Sequence, residues 1–310
     1  MTDSLIPIVV VLGPTASGKT ALSVECALKF GGEIVSADSM QIYKGMSIAT
    51  AKPAIAEMKG VKHHLIDFLD PQKKYSVAEY VADAKNAIYD INSRGKLPII
   101  SGGTGLYIDS LTENIKFIDV PTDYDLRYGL EQRLDSEGSD KLLSELALFD
   151  KETAQKLHTN DGKRIVRAIE VYMLTGKTMT QLDAESKSEP SPFSPVFVGI
   201  NYRNRNVLYD RINRRVDIMF ENGLLQEAEK YYKLESGTAV QAIGYKELAP
   251  YFNGELSLCD CIENLKQATR NYAKRQLTWF RRNEQINWVY PDDYNDIYSF
   301  YEDVYKIIKR

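Results

Sequence analysis

The sequence predicts an α/β protein, a parallel sheet flanked by helices and interrupted by an all-helical insertion. Three observations carry that prediction. Apolar runs alternate with helical patterns through the first third of the chain, the runs being Ile6–Leu12, Glu33–Ser36 and Leu97–Ser101. From Asp123 to Leu182 the pattern is helical throughout and rich in charge. An apolar strand pattern then returns at Val196–Asn201 and rejoins the sheet. The core is therefore expected at residues 1–121 and 196–310, with the insertion at 122–195. Glu185–Pro195, polar and proline-rich, reads as a linker.

Each element has a local cause. Ile6–Leu12 is apolar almost throughout, as a strand covered on both faces must be. Lys19–Phe30 carries a helical pattern. In the stretch after Ser76, the residues Val77, Tyr80, Val81, Ala84, Ile88 and Ile91 recur at helical spacing until Gly95. Leu97–Ser101 is the next strand, and Gly102-Gly103-Thr104-Gly105 leads into another helix. Asp161-Gly162 breaks the helical insertion, and a long helix is expected from about Ser257 to Asn283.

The chain has 310 residues, 44% of them hydrophobic, with a formal net charge of −4. No apolar run is long enough to span a membrane, and Met1-Thr2-Asp3-Ser4 has no basic leader, so a cytoplasmic protein is expected. Three cysteines without a C-x-x-C pair imply neither a disulfide framework nor a zinc site, and His63, His64 and His158 share no ligand spacing. Net charge argues mildly against nucleic acid, but its distribution is uneven. Residues 262–285 hold six basic residues against Glu263 and Glu284. Lys266, Arg270 and Lys274 fall at i, i+4 and i+8 without carboxylates at the same spacing, which suggests a phosphate-tracking face.

The chemistry is concentrated at the end of the first strand. Gly13-Pro14-Thr15-Ala16-Ser17-Gly18-Lys19-Thr20 fits G-x-x-x-x-G-K-[ST] at every fixed position, between a strand and a helix. Backbone N–H groups at a helix N-terminus form a nest for polyphosphate, Lys19 adds a point charge, and the Thr20 hydroxyl suits Mg²⁺. The expected fold is accordingly of the P-loop NTPase type. Kinases, GTPases and ATPases share this loop, so it does not decide the reaction. No guanine-reading N-K-x-D and no metal-holding strand of a motor ATPase is evident. Asp38, at the end of the second strand, is either a cap for Ser39–Tyr43 or a catalytic carboxylate.

Several motifs together narrow the choice. The phosphate loop, Asp38-Ser39-Met40-Gln41-Ile42-Tyr43-Lys44-Gly45-Met46, Ile48–Pro53 and Gly102–Tyr107 occur in that order. They are followed by Lys163–Glu170, Arg211–Val216, Ala242–Lys246 and Arg270–Gln276. This set, spanning nearly the whole chain, resembles the bacterial tRNA dimethylallyltransferases. The resemblance implies transfer of a dimethylallyl group from its diphosphate to N6 of the adenosine immediately 3′ of the anticodon. It implies diphosphate binding by Gly13–Thr20, with Mg²⁺ held through Thr20. Catalytic roles fall on Asp38, Lys19, Thr20 and Arg215, where Arg215 is a second cation on the diphosphate. RNA contacts are implied at Asp38, Ser39, Met40, Gln41, Thr104, Arg127, Lys163, Arg164, Ile165, Val166, Arg167, Gln241, Ala242, Ile243, Gly244, Tyr245 and Lys246. The partners are then a tRNA anticodon stem-loop and dimethylallyl diphosphate, with the enzyme a monomer. Competing classes are a prenyltransferase acting on free adenine nucleotides, which would not need the insertion, and an ATP-dependent small-molecule kinase. A non-catalytic RNA-binding protein would not need Lys19, Thr20 and Asp38 together.

Overall fold

The computed structural model describes residues 5–117, 123–233 and 238–309. The expected leaderless start at residues 1–4 and the expected boundary at 121/122 lie outside them. In chain order the core begins with β1 (Ile6–Leu12), α1 (Lys19–Phe30), β2 (Gly32–Ala37), α2 (Ile55–Met58), β3 (His63–His64), α3 (Val77–Ser93), β4 (Leu97–Gly102) and α4 (Gly105–Thr112). The insertion holds α5 (Tyr124–Glu137), α6 (Ser139–Phe149), α7 (Lys151–Lys156), α8 (Gly162–Thr175) and α9 (Met179–Ser186). The core resumes with β5 (Phe193–Ile200), α10 (Arg205–Glu221), α11 (Leu224–Tyr231), α12 (Tyr245–Phe252), α13 (Leu258–Phe280), β6 (Asn287–Val289) and α14 (Ile297–Ile308). The chain divides into two compact units, Met1–Thr112 with Ser191–Arg310, and Glu113–Pro190.

The sheet is parallel throughout, in the order β3-β2-β4-β1-β5-β6. β1 shows why its residues are all apolar. Ile8, Val10 and Leu12 face a core that includes α3 and α4, while Val9 and Val11 face the other side, with α1 and α14. α3 forms where its period predicts, capped by Ser76, whose hydroxyl accepts from the Glu79 amide (3.2 Å).

Phe193-Ser194-Pro195 is strand rather than linker. Phe193 pairs with Ile6 at the start of β5, and β6 reaches only Val198–Ile200. Among the described residues Pro195 thus has no strand partner on the β6 side, where its missing N–H breaks no ladder.

One buried cluster ties β2 to its surroundings. Glu33, 2% exposed, accepts two bonds from the Arg94 guanidinium (2.6 and 2.7 Å), one from Lys96 (2.7 Å), and contacts His64 (2.8 Å). Chiefly the Arg94 hydrogen bonds hold its carboxyl well below the usual carboxylate range. The unfolded chain, with a Glu value of about 4.3, binds this proton more readily than the folded one. The stabilisation is therefore complete above that value and is lost as pH falls below it. Glu33→Gln is expected to cost about 2 kcal/mol at pH 7, a gap that narrows below about pH 4 in urea denaturation. A gap independent of pH would show that the charge is not what stabilises.

Candidate active site

The register of the sheet levels three strand ends. Leu12 pairs with Gly102 and Ala37 also pairs with Gly102, so the segments that follow all emerge at one height. These are the phosphate loop, the Asp38 turn and the Ser101-Gly102 end of β4, the place where open parallel sheets bind ligands; Thr104 itself stands behind the Asp38 turn and is not in the lining. They line one crevice of about 320 Å³ together with α10, α13 and residues 241–246.

The loop geometry follows from its sequence. Gly13 sits at φ 153° with room for no Cβ, which would lie 2.6 Å from the Ile200 carbonyl. Ala16 is left-handed at φ 61°, and its carbonyl turns outward to accept from Arg211 Nε (2.9 Å). The Ser17 amide is spent on the Pro14 carbonyl (3.3 Å) and the Thr15 amide on Gln276 Oε1 (2.8 Å). That leaves the amides of Gly18, Lys19 and Thr20, at the start of α1, without intrahelical acceptors and available to an anion. Lys19 Nζ donates to the Pro14 carbonyl (2.8 Å), which holds it over the loop.

Arg215 enters from α10. Ile212, Arg215, Val216 and Met219 share one helical face and all line the crevice. Burial, then the Arg215 charge, lowers the Lys19 pKa to about 7, while Asp38 pulls it the other way. Burial likewise lowers Arg215, with Asp38 opposing. Two cations and one carboxylate thus act on one another at the same end of the crevice.

Asp38 is not the cap of a helix, because Ser39–Ile42 forms turns and Tyr43 bridges to Leu69. Its Oδ1 accepts from the amides of Met40 (2.9 Å) and Gln41 (3.3 Å), and Oδ2 makes no hydrogen bond among the described residues. One oxygen shapes the turn and the other stays available. Ser39 donates its amide to Thr104 Oγ1 (3.0 Å), and Gln41 donates to the carbonyls of Thr50 (3.2 Å) and Ala51 (3.1 Å).

Thr20 lines the crevice, and its hydroxyl makes no hydrogen bond among the described residues. No group of three or more His, Cys, Asp or Glu among them could hold a metal ion. A divalent ion here could take the Thr20 hydroxyl from the protein, with the rest of its ligands from phosphate oxygens and water.

Gln241, Ala242, Ile243, Gly244 and Lys246 line the crevice, but Tyr245 does not; it is 2% exposed and donates its hydroxyl to Glu227 (2.9 Å). The basic stripe of α13 also differs from expectation. Lys266 pairs with Asp217 of α10 (2.9 Å) and with Glu263 (3.3 Å), and Arg270 donates to Asn213 (2.6 Å). Lys266 and Arg270 are thus engaged within the protein, largely by residues of α10 that spacing along α13 cannot reveal, while Lys274 stays exposed.

Within the insertion, Lys163 and Arg164 are exposed on α8, as an RNA-facing pair requires. Ile165 and Val166 are instead core, 0% and 3% exposed among Leu130, Leu142 and Ile169, so their side chains do not reach a ligand. Arg127 and Arg167 both bond Glu170 Oε2 at 2.9 Å, and Glu170 is fully buried. Two guanidiniums on one carboxylate leave a single net positive charge.

A family model described as IPP transferase matches residues 41–283. The chain belongs to the IPP transferase family. Among relatives of this family, the tRNA dimethylallyltransferase of Caldanaerobacter subterraneus is 45% identical, covering 98% of both chains. That of Bacillus subtilis is 47% identical, covering 93% of this chain and 92% of the relative. The solved tRNA isopentenylpyrophosphate transferase of Bacillus halodurans aligns with a TM-score of 0.71 at 41% identity, over 98% of this chain and 97% of that one. A eukaryotic dimethylallyltransferase solved acting on tRNA gives 0.79 at 31% identity, over 96% and 78%.

For this IPP transferase, sequence reasoning left out several residues of the crevice. Tyr272 lines it beside Arg275 and Gln276. Gln276, 5% exposed, joins the phosphate loop to the end of β4 by accepting from Thr15 and donating to the Gly103 carbonyl (2.9 Å). A buried glutamine on an amphipathic helix was the available signal.

Proposed function

We propose that this chain transfers a dimethylallyl group from dimethylallyl diphosphate to N6 of the adenosine immediately 3′ of the anticodon in tRNA. The observation that carries the reading is the polarity of the crevice. One end has helix-terminal amides, Lys19 and Arg215; its wall continues as Ile212, Val216, Met219, Leu224 and Leu265. A diphosphate with a short branched hydrocarbon tail matches both surfaces.

In this reading the C1–O bond of the donor breaks as the N6–C1 bond forms, and diphosphate leaves. The adenine amine is a poor nucleophile, its lone pair being delocalised into the ring, so the leaving group must be strongly stabilised. Lys19, Arg215 and the loop amides neutralise charge that grows on the departing oxygens. Mg²⁺, which the Thr20 hydroxyl would help to hold, would supply further positive charge there. Asp38 Oδ2 accepts the amine hydrogen bond and then the proton. The base must swing out of the loop stack to reach a strand-end crevice, which costs a few kcal/mol. Phosphate contacts from exposed bases such as Lys163 and Arg164 offset part of that. The enzyme acts as a monomer in the cytoplasm.

Labelled dimethylallyl diphosphate, Mg²⁺ and unmodified tRNA should give label in a modified adenosine on nucleoside analysis. ATP turnover without labelled RNA would sink the reading in favour of a kinase. Equal labelling of free adenine nucleotides would favour the smaller acceptor.

A further inference from the structure

Glu227 touches no part of the reaction described above, yet it is 9% exposed and its carboxylate is fully engaged. Oε2 accepts from the amides of Ser47 and Ile48, both at 2.9 Å. Oε1 accepts from the amides of Ile48 (3.1 Å) and Ala49 (2.9 Å) and from the Tyr245 hydroxyl (2.9 Å). Three successive amides converging on one anion form a nest of the kind that binds phosphate. Here the protein fills it with its own side chain.

The same loop is held from its other side. Gln41 takes the Thr50 and Ala51 carbonyls, and the Thr50 hydroxyl donates to Met46 (2.5 Å). Ala49, Thr50 and Ala51 are thereby presented to the crevice. Gly244 closes against this loop, at φ 119° and with its missing Cβ only 3.0 Å from Ala49 Cβ. Glu227 reaches that segment as well, through Tyr245.

We infer that Glu227 is a positioning residue that locks residues 47–51 and 241–246 into one wall, the wall that receives the extruded base. The inference rests on the transfer reaction proposed above. It also accounts for Tyr245, which serves the wall from behind rather than touching RNA. The phosphate loop and Arg215 lie outside this network, so the two ends of the crevice should respond differently.

The test uses the full chain, with wild-type transfer measured first. Glu227→Gln keeps the shape but sets an amide N–H₂ against backbone N–H groups. Its KM for a tRNA anticodon stem-loop should rise on the order of tenfold, while calorimetric affinity for inorganic diphosphate stays within about twofold. Tyr245→Phe removes one donor and should raise the RNA KM in the same direction by less. Should Glu227→Gln fail to fold, Tyr245→Phe decides alone, and an unchanged RNA KM there overturns the inference. Equal losses for RNA and diphosphate, or a lowered Tm with unchanged KM, would also overturn it. A wild type without transfer activity would count against the reaction; an active wild type indistinguishable from Glu227→Gln would count against the clamp.

Discussion

Asp38→Asn is expected to bind tRNA within about threefold of wild type while its single-turnover rate falls on the order of 10²- to 10⁴-fold. The choice of asparagine comes from the turn. Oδ1 of Asp38 holds the amides of Met40 and Gln41, and an asparagine oxygen keeps both bonds. What it loses is the second acceptor and the capacity to take a proton. Asp38→Ala removes both functions, so it should show the same rate loss and, in addition, weaker RNA affinity. Residues 39–41, which line the crevice, are then no longer held. Rapid-quench measurement with labelled donor separates the two variants. A wild-type rate in Asp38→Asn would remove Asp38 from the chemistry and leave it a turn residue.

What the sequence made legible follows from how each feature is encoded. The phosphate loop is contiguous, its ligands are backbone amides, and its glycines are demanded by sterics, so eight letters specify it. The register that levels Leu12, Ala37 and Gly102 is implied by strand alternation, which is why Asp38 and Gly102 could be assigned to the same crevice. Other features depend on partners far along the chain. Gln276 is 261 residues from Thr15, and although its place on the apolar face of α13 signals burial, nothing there names the loop as its partner. Lys266 looked free because Asp217 lies on α10. Ile165 and Val166 follow directly on two exposed bases, and only the helical period turns them inward. β3 and β6, of two and three residues, are too short to carry periodicity.

Lys19 should make donor binding pH-dependent in a direction opposite to its effect on stability. Burial and Arg215 bring its pKa down to about 7, so above that pH the amine is largely neutral. A diphosphate favours the charged form, so binding takes up a proton and affinity falls by up to about tenfold per pH unit above 7. The unfolded chain keeps this proton up to about pH 10.4. Between these values unfolding takes up a proton, so raising pH favours the folded form. Thermal stability measured against Lys19→Met should therefore rise across the interval in which diphosphate affinity falls. Lys19→Arg stays charged throughout, and dividing its diphosphate affinity into that of wild type cancels the ligand's own ionisation. The ratio should slope downward above pH 7; a flat ratio would mean that Lys19 is protonated over the whole range. Lys19→Ala, lacking the cation at any pH, should lower kcat on the order of 10²-fold or more. If instead only the donor KM changed, Lys19 would be a binding group that gives no added support as the oxygens depart.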